Sequence, residues 1–324
     1  MKVGVIGTGS MGQNHVRVLS EIGELVGIVD SNADIGTKVA KRFKTQFFPT
    51  ADALLSAGVE AVSIVTPTTA HYATAKEAIE KGVNVLLEKP ATGDPEKLLE
   101  LSALAEKKDV CLAIGLIERH NSVINFAMKN LKSGNFGSLI SAHARRVSSF
   151  PLRIRDVGVI MDLGVHDIDV IKYLSGSKVK RVFATAGRFK NTEYEDFANI
   201  VLEFENGSAG TVEVNWLTPT KVRSLALTCS DQFAEFDYIS QSINICSATL
   251  REFDPSNLYD LSLEFHERRI SLKKEEPLKR ELMDFLNACS RGIDPLVTGK
   301  DAAETLKIAG AAIKSASTNK VIEL

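Results

Sequence analysis

Residues 1–12, MKVGVIGTGSMG, run a short apolar strand directly into a Gly-x-Gly-x-x-Gly turn, and few other openings restrict a fold as tightly. Val3, Val5 and Ile6 supply the strand. Gly7 permits the sharp turn, Gly9 leaves bare backbone where a pyrophosphate can approach, and Gly12 allows the next helix to pack closely on the sheet. Ser10 and Met11 complete the loop, whose amides and helix N-terminus form a site for phosphate. A helical stretch at 13–21 and a second apolar strand at 24–30 follow, so the triplet sits in the strand–turn–helix–strand context of a dinucleotide-binding unit.

Asp30 ends that second strand 18 residues beyond Gly12. The acidic residue that takes the ribose hydroxyls of NAD is expected at about 20. Its carboxylate would repel a 2′-phosphate, and Ser31 and Asn32 bring no arginine, so NAD is expected rather than NADP. Asp-Ser-Asn is also good turn chemistry, which leaves a purely local role for Asp30 open.

The alternation continues with a helix at 33–43, strands at 61–65, 84–87 and 110–114, and helices at 70–81 and 95–107 between them. This pattern predicts a doubly wound parallel sheet with helices on both faces, an α/β domain over 1–119. Beyond it the pattern changes. Helices at 122–132 and 161–174 are followed by strands of period two, including a hairpin of 198–204 and 209–216 around Asn206-Gly207, whose turn suits positive φ. A second, α+β domain with a large, mostly antiparallel open sheet is expected over 120–324. Helices at 277–291 and 300–317 close the chain, and the last is expected to pack back on the first domain.

A chain of 324 residues with 44% hydrophobic residues suffices for two cores. Its 39 basic and 41 acidic residues leave a net charge of −2, evenly mixed, which calls for neither nucleic acid nor an anionic membrane. The four cysteines (Cys111, Cys229, Cys246, Cys289) show neither Cys-x-x-Cys spacing nor a disulfide framework. With no signal-peptide pattern and no run of about 20 apolar residues, a cytoplasmic protein is expected.

Three further segments bear chemistry: Thr66-Pro67 with His71, Glu88-Lys89-Pro90, and Asp162-Leu-Gly-Val-His166-Asp167-Ile-Asp169. The first two fall at C-terminal ends of expected parallel strands, where open α/β sheets bind ligands. Pro90 biases the backbone of Lys89 away from helix, and an ammonium held there would stabilise the oxygen of an alcohol losing hydride. The alternative is a solvated loop lysine. Asp162 and His166 lie four apart, on one face of a helix, a spacing that suits a base and its orienting carboxylate. An exposed ion pair has the same spacing. Metal ligation by Asp162, His166, Asp167 and Asp169 is not expected, because only two of them share a face and no third ligand segment is evident.

With Gly7 to Gly12, His15, Thr66-Pro67, His71, Glu88-Lys89-Pro90 and Asp162-x-x-x-His166-Asp167 in order, the chain resembles the Gfo/Idh/MocA oxidoreductases over nearly its whole length. The resemblance implies a Rossmann domain joined to an α+β domain, NAD as cofactor, and homodimers or homotetramers formed through the second sheet. It also implies sugars, inositols or their derivatives as substrates. By matched motif it makes Lys89 the catalytic lysine, His166 the acid/base and Asp162 its partner, all three at the substrate. Thr66, Pro67, His71 and Glu88 fall on the cofactor side. Where relatives often carry Arg-Phe-Asn-Pro, this chain has Arg119-His120-Asn121-Ser122, which leaves the substrate pocket open to question.

Within the family, 117–119 and 153–166 look most like the branch that oxidises UDP-N-acetylglucosamine at C3. Arg145, Arg146, Arg153 and Arg155 form a basic cluster able to grip a diphosphate, and Arg119 is expected at the substrate with Arg153 and Arg155. Arginines on an alternating strand also face solvent or a neighbouring subunit. Trp216 either stacks on a uracil or sugar or fills a core. The competing readings are an inositol or free-monosaccharide dehydrogenase and a non-catalytic NAD(P)-binding regulator, the latter disfavoured by the retention of Lys89 and His166.

Overall fold

The computed structural model describes residues 1–150, 157–190, 193–252 and 262–324. The chain divides into two compact units, Met1–His120 with Glu276–Lys307, and Asn121–Glu275 with Ile308–Leu324. The second domain read from the sequence as 120–324 is thus interrupted, its stretch Glu276–Lys307 grouping with the N-terminal residues.

The first unit alternates β1 (Lys2–Ile6), α1 (Ser10–Ile22), β2 (Glu24–Val29), α2 (Ala33–Phe43), β3 (Gln46–Phe48), α3 (Ala51–Ser56), β4 (Ala61–Ile64), α4 (Thr68–Glu80), β5 (Asn84–Glu88), α5 (Pro95–Lys108) and β6 (Leu112–Gly115). The strands form one six-stranded sheet in the order β3-β2-β1-β4-β5-β6. Every neighbouring pair is parallel. The order reverses between β1 and β4, the switch point beside which α/β sheets bind ligands at strand C-termini. Near-continuous burial of β1, β4 and β5 reflects helices on both faces. Several helix ends are fixed by short polar side chains: Asn32, Thr50 and Asp94 accept the first amides of α2, α3 and α5.

In the second unit, α6 (Ser122–Lys132) and β7 (Leu139–Val147) lead to a five-residue π turn (Ile160–Gly164) that runs into α7 (Val165–Ser175). Strands β8 (Val179–Gly187), β9 (Phe197–Phe204), β10 (Ala209–Asn215), β11 (Val222–Cys229), β12 (Phe233–Asp237), β13 (Ser242–Glu252) and β14 (Ser262–Ser271) follow. The chain ends with α8 (Pro277–Arg291), α9 (Gly299–Thr318) and β15 (Ile322–Glu323). The nine strands order as β14-β13-β12-β11-β7-β10-β9-β8-β15. Only β7 and β10 pair in parallel; the remaining neighbours are antiparallel. The hairpin of β9 and β10 is present, and its positive φ falls on Gly207 alone, at 85°.

Each unit has its own core. Val3, Val5, Val16, Leu19 and Ile28 pack with Leu278, Leu282 and Phe285 of α8 in the first. In the second, α7 lays Ile168 and Ile171 against the inward residues of the nine-stranded sheet, among them Ile200, Leu202, Val212 and Trp216. Trp216 is 1% exposed and meets Phe150 edge-on, so it belongs to the core and does not stack on a ligand.

Candidate active site

The glycine turn takes the form its residues require. Gly7 has a φ of +94°, and its amide donates to the Val29 carbonyl at 2.8 Å, tying the end of β1 to that of β2. A Cβ on Gly12 would stand 2.0 Å from the Gly7 carbonyl oxygen, so only glycine lets α1 begin there. At Gly9 a Cβ would meet nothing within 4 Å, and α1 has neither a side-chain cap nor an acidic residue in its first turn. That combination, an open concavity before an uncapped helix N-terminus, fits a pyrophosphate.

Asp30 lies just beyond β2, half-buried. One carboxylate oxygen accepts the Thr8 amide at 2.8 Å and the Thr8 hydroxyl at 2.5 Å, and the other accepts the Asn32 amide at 2.9 Å. Burial alone would raise its pKa, but the hydrogen bonds from Thr8 and Asn32 outweigh it and hold Asp30 below the usual range. The anion is therefore fixed and aimed, with lone pairs left for a ribose. These residues fit NAD: the turn would hold the pyrophosphate and Asp30 the ribose hydroxyls.

At the ends of β4 and β5 a polar framework supports Lys89. Glu88 is buried; one oxygen lies 3.0 Å from His15 Nε2, and the other accepts the Lys89 amide at 2.9 Å. The other His15 nitrogen, Nδ1, lies 2.7 Å from the Ser63 hydroxyl. Burial opposes ionisation of Glu88, but His15 and the Lys89 amide reverse the sign and keep its pKa low. Glu88 thus acts by holding the backbone at Lys89, which is half-buried and joined to Pro90 by a cis peptide. His71, in the first turn of α4, lies between the Pro90 carbonyl (Nδ1, 3.0 Å) and the Thr66 carbonyl (Nε2, 2.8 Å), linking the loops after β4 and β5. Burial lowers its pKa, so the ring is neutral and donates to one carbonyl at a time. Pro67 stands exposed at the cap of α4.

A carboxyl unforeseen in the sequence lies in the same unit. Glu281 of α8 is 2% exposed, and neither of its oxygens has a hydrogen-bond partner among the described residues. Burial, with Glu88, Asp284 and Glu118 nearby, drives its pKa well above the ordinary range, which favours the protonated acid.

In the second unit Asp162 falls within the π turn and His166 near the start of α7, which corrects the single α-helix expected over 161–174. The wider turn is held from outside: the Val159 amide donates to the Glu195 carbonyl at 3.0 Å and the Ile160 amide to the Glu195 carboxylate at 3.1 Å. Such π turns recur at functional sites. His166, Asp167 and Asp169 are all buried, which overturns the exposed ion pair. Asp167 receives Arg146 of β7 through two parallel bonds, Nε to Oδ2 at 2.6 Å and Nη2 to Oδ1 at 3.0 Å, and the guanidinium also lies over the Tyr238 ring. The pair clamps α7 to the sheet and thereby fixes the neighbouring His166.

That engagement corrects the expected arginine cluster. Arg146 is interior, whereas Arg145 points to the opposite face of β7 and pairs with Glu213 at 3.0 Å. Arg153 and Arg155 lie outside the described residues. Arg119, expected at the substrate, is 2% exposed, donates to the Leu296 carbonyl at 3.2 Å and pairs with Asp301, so it acts as an internal strut. His120 is buried beside Arg280 and Arg119; burial first and then their charge push its pKa down to about 3. A neutral imidazole thus occupies the second position of Arg119-His120-Asn121-Ser122. Asn121 caps α6 through the Val123 amide, and Ser122 takes the first helical position, where proline is well tolerated.

Among the described residues no group of three or more His, Cys, Asp or Glu is arranged for a metal ion, and no helix is long and apolar enough to cross a membrane.

A six-stranded parallel Rossmann sheet with an aimed acidic residue, together with a mostly antiparallel nine-stranded partner unit, defines an NAD-dependent oxidoreductase. Residues 1–116 match the model of the oxidoreductase family with an NAD-binding Rossmann fold, and 125–235 match the GFO/IDH/MocA C-terminal domain. The chain belongs to the Gfo/Idh/MocA oxidoreductase family, whose named relatives here are sugar and polyol dehydrogenases. It is 33% identical over 290 residues to the UDP-N-acetylglucosamine 3-dehydrogenase of Acidithiobacillus ferrooxidans, covering 89% of this chain and 88% of that protein. The solved structure of that enzyme superposes with a TM-score of 0.89 at 30% identity over 98% of both chains. The scyllo-inositol 2-dehydrogenase (NAD(+)) of Bacillus subtilis is 25% identical over 340 aligned residues, covering 100% of this chain and 96% of that protein.

Proposed function

We propose that this dehydrogenase oxidises UDP-N-acetylglucosamine at the C3 hydroxyl. The observation that carries the reading is the likeness to the UDP-N-acetylglucosamine 3-dehydrogenase along most of both chains. NAD, when bound, accepts the hydride. His166 takes the hydroxyl proton, as a neutral imidazole can near pH 7, and Asp162 orients it. Lys89 supplies positive charge to the oxygen as the C–H bond breaks. Glu88 and His71 hold the loops that carry Lys89, and Thr66, Pro67, Gly9, Ser10 and Met11 line the cofactor. Arg153 and Arg155 are assigned to the diphosphate, a role that Arg119 and Arg146 cannot fill.

A second reading, oxidation of a free polyol, is favoured by the full-length match to the scyllo-inositol enzyme. Absorbance at 340 nm is followed with NAD and, separately, UDP-N-acetylglucosamine, N-acetylglucosamine, myo-inositol and glucose. Reduction with the nucleotide sugar alone supports the first reading; turnover of a free polyol without nucleotide overturns it. Lys89→Ala and His166→Ala should each abolish turnover while NAD binding persists, and loss of NAD binding in both, with the fold intact, would remove these roles.

The exposed face of the nine-stranded sheet supports association of copies into a dimer or tetramer. Adjacent strands align Phe183, Val201, Thr211, His143 and Ala226 in one row on that face. Light scattering on the eluting protein tests it, and a monomeric mass would discard the assignment.

A further inference from the structure

The first unit contains a pair of thiols that neither cofactor binding nor hydride transfer uses. Cys111 immediately precedes β6, and its backbone is pinned on both sides: its amide donates to Asn84 Oδ1 at 2.8 Å, and its carbonyl accepts the Val85 amide at 2.9 Å. Cys289 lies in the last turns of α8. The two cysteines pack against the same core, and both line a cavity of about 370 Å³ that Ser102, Asp109, Asp294 and Lys300 also border. The cavity lies by Asn84 and Leu112, at the N-terminal ends of β5 and β6. The glycine turn and Lys89 belong to the opposite, C-terminal ends of the strands. Both cysteines are only partly buried, so a small reagent in the cavity reaches them.

The other cysteines make an internal contrast. Cys229 is buried on β11, and burial with nearby Asp231 pushes its thiol up to about 11. Cys246 is on β13, and β12 runs between those strands. Two strand spacings of about 4.8 Å exceed the roughly 7 Å between Cα atoms that a disulfide can bridge.

We propose that Cys111 and Cys289 form a redox-modification site, a dithiol that hydroperoxides convert to an intramolecular disulfide. Cys111, its backbone pinned on both sides at the cavity, is assigned as the attacking sulfur and Cys289, across the same cavity, as the resolving one. Cys111 attacks the peroxide as its S–H proton is lost; the O–O bond breaks, alcohol or water leaves, and Cys111 becomes a sulfenic acid. The Cys289 sulfur then attacks Cys111, the S–S bond forms, and hydroxide leaves with the Cys289 proton as water. Two thiols are oxidised by two electrons and one peroxide is reduced.

The purified full-length protein is treated with stoichiometric hydrogen peroxide, and its intact mass, its free thiols and its non-reduced peptides are measured. The expected result is a mass lower by two hydrogens, loss of two of the four thiols, and one cross-linked peptide joining Cys111 to Cys289, all reversed by dithiothreitol. Cys229→Ser with Cys246→Ser should leave this outcome unchanged. Cys111→Ser should abolish the cross-link, and Cys289→Ser should trap a dimedone-reactive sulfenic acid on Cys111. An unmodified pair in the wild type, a disulfide through Cys229 or Cys246, or only irreversible oxidation of single cysteines would overturn the assignment, and each is read on wild-type protein irrespective of how the variants fold.

Discussion

Replacing Asp167 with asparagine tests the clamp between α7 and β7. The carboxylate is 1% exposed, Arg146 is 2% exposed, and the two meet through paired bonds of 2.6 and 3.0 Å. Asparagine preserves the volume but removes the charge that the paired bonds bring to a buried guanidinium. Removing one partner of such a pair costs about 3–5 kcal/mol. For a unit of this size each kcal/mol moves the thermal midpoint by roughly 2–4 °C, so a fall of roughly 6–20 °C is expected. Urea denaturation followed by circular dichroism gives the free energy directly. Arg146→Met with Asp167→Leu, which removes both charges, should recover most of the loss, because well-packed apolar residues replace buried pairs at little cost. Turnover should fall in Asp167→Asn even below the melting range, since His166 precedes the clamped residue. A single-variant cost under about 1 kcal/mol, with no coupling between the two positions, would refute the argument, since such values belong to solvated pairs.

Other consequences are equally open to measurement. Gly12→Ala forces a contact that begins at 2.0 Å from the Gly7 carbonyl, so α1 or the turn must yield by about 1 Å and NAD affinity by calorimetry should drop about tenfold or more; an unchanged Kd would dismiss the turn as the phosphate site. Asp30→Asn removes charged hydrogen bonds worth about 1.5–3 kcal/mol each, so NAD should bind about ten- to a hundredfold more weakly and the preference over NADP should shrink; a preserved preference would place discrimination elsewhere. For Glu281 the folded-state pKa is raised, so its contribution to stability is complete below the ordinary carboxylate value of about 4.5 and is lost as pH climbs through the raised value. Glu281→Gln, fixed in the neutral form, should therefore gain on the wild type as pH rises above about 5 in parallel urea titrations, and a constant difference between the two would show that Glu281 is ionised throughout.

Local chemistry was readable where a residue's role is set by its own backbone. Gly7, Gly9 and Gly12 carry the turn in their lack of a side chain, Asp30 falls where β2 must end, and Asn206-Gly207 marks the hairpin. The alternation of strand and helix gives the parallel sheet for the same reason. Pairings between distant elements left no such trace. Nothing near Arg146 in the chain distinguishes it from Arg145, yet strand alternation sends one into the core to meet Asp167 and the other out to Glu213. The motif match at 117–119 places Arg119 at the substrate, but Leu296 and Asp301, far along the chain, engage it internally. Glu281 reads as one more polar residue of an amphipathic helix until its surroundings are known. The π turn arises from contacts with Glu195 that no periodicity encodes.

The first unit is discontinuous: Leu278, Leu282 and Phe285 complete its core from beyond the whole of Asn121–Glu275. On the ribosome the six parallel strands emerge early, but their hydrophobic face stays incomplete until α8 has been synthesised. At about 5–20 residues per second the roughly 150 intervening residues take on the order of ten seconds or more. For that interval the nascent cofactor domain exposes apolar surface that the finished protein hides, so the nucleotide-binding half, although first made, closes only after most of the second unit has been synthesised. A stalled chain ending before 276 should accordingly be the form that proteases and chaperones recognise.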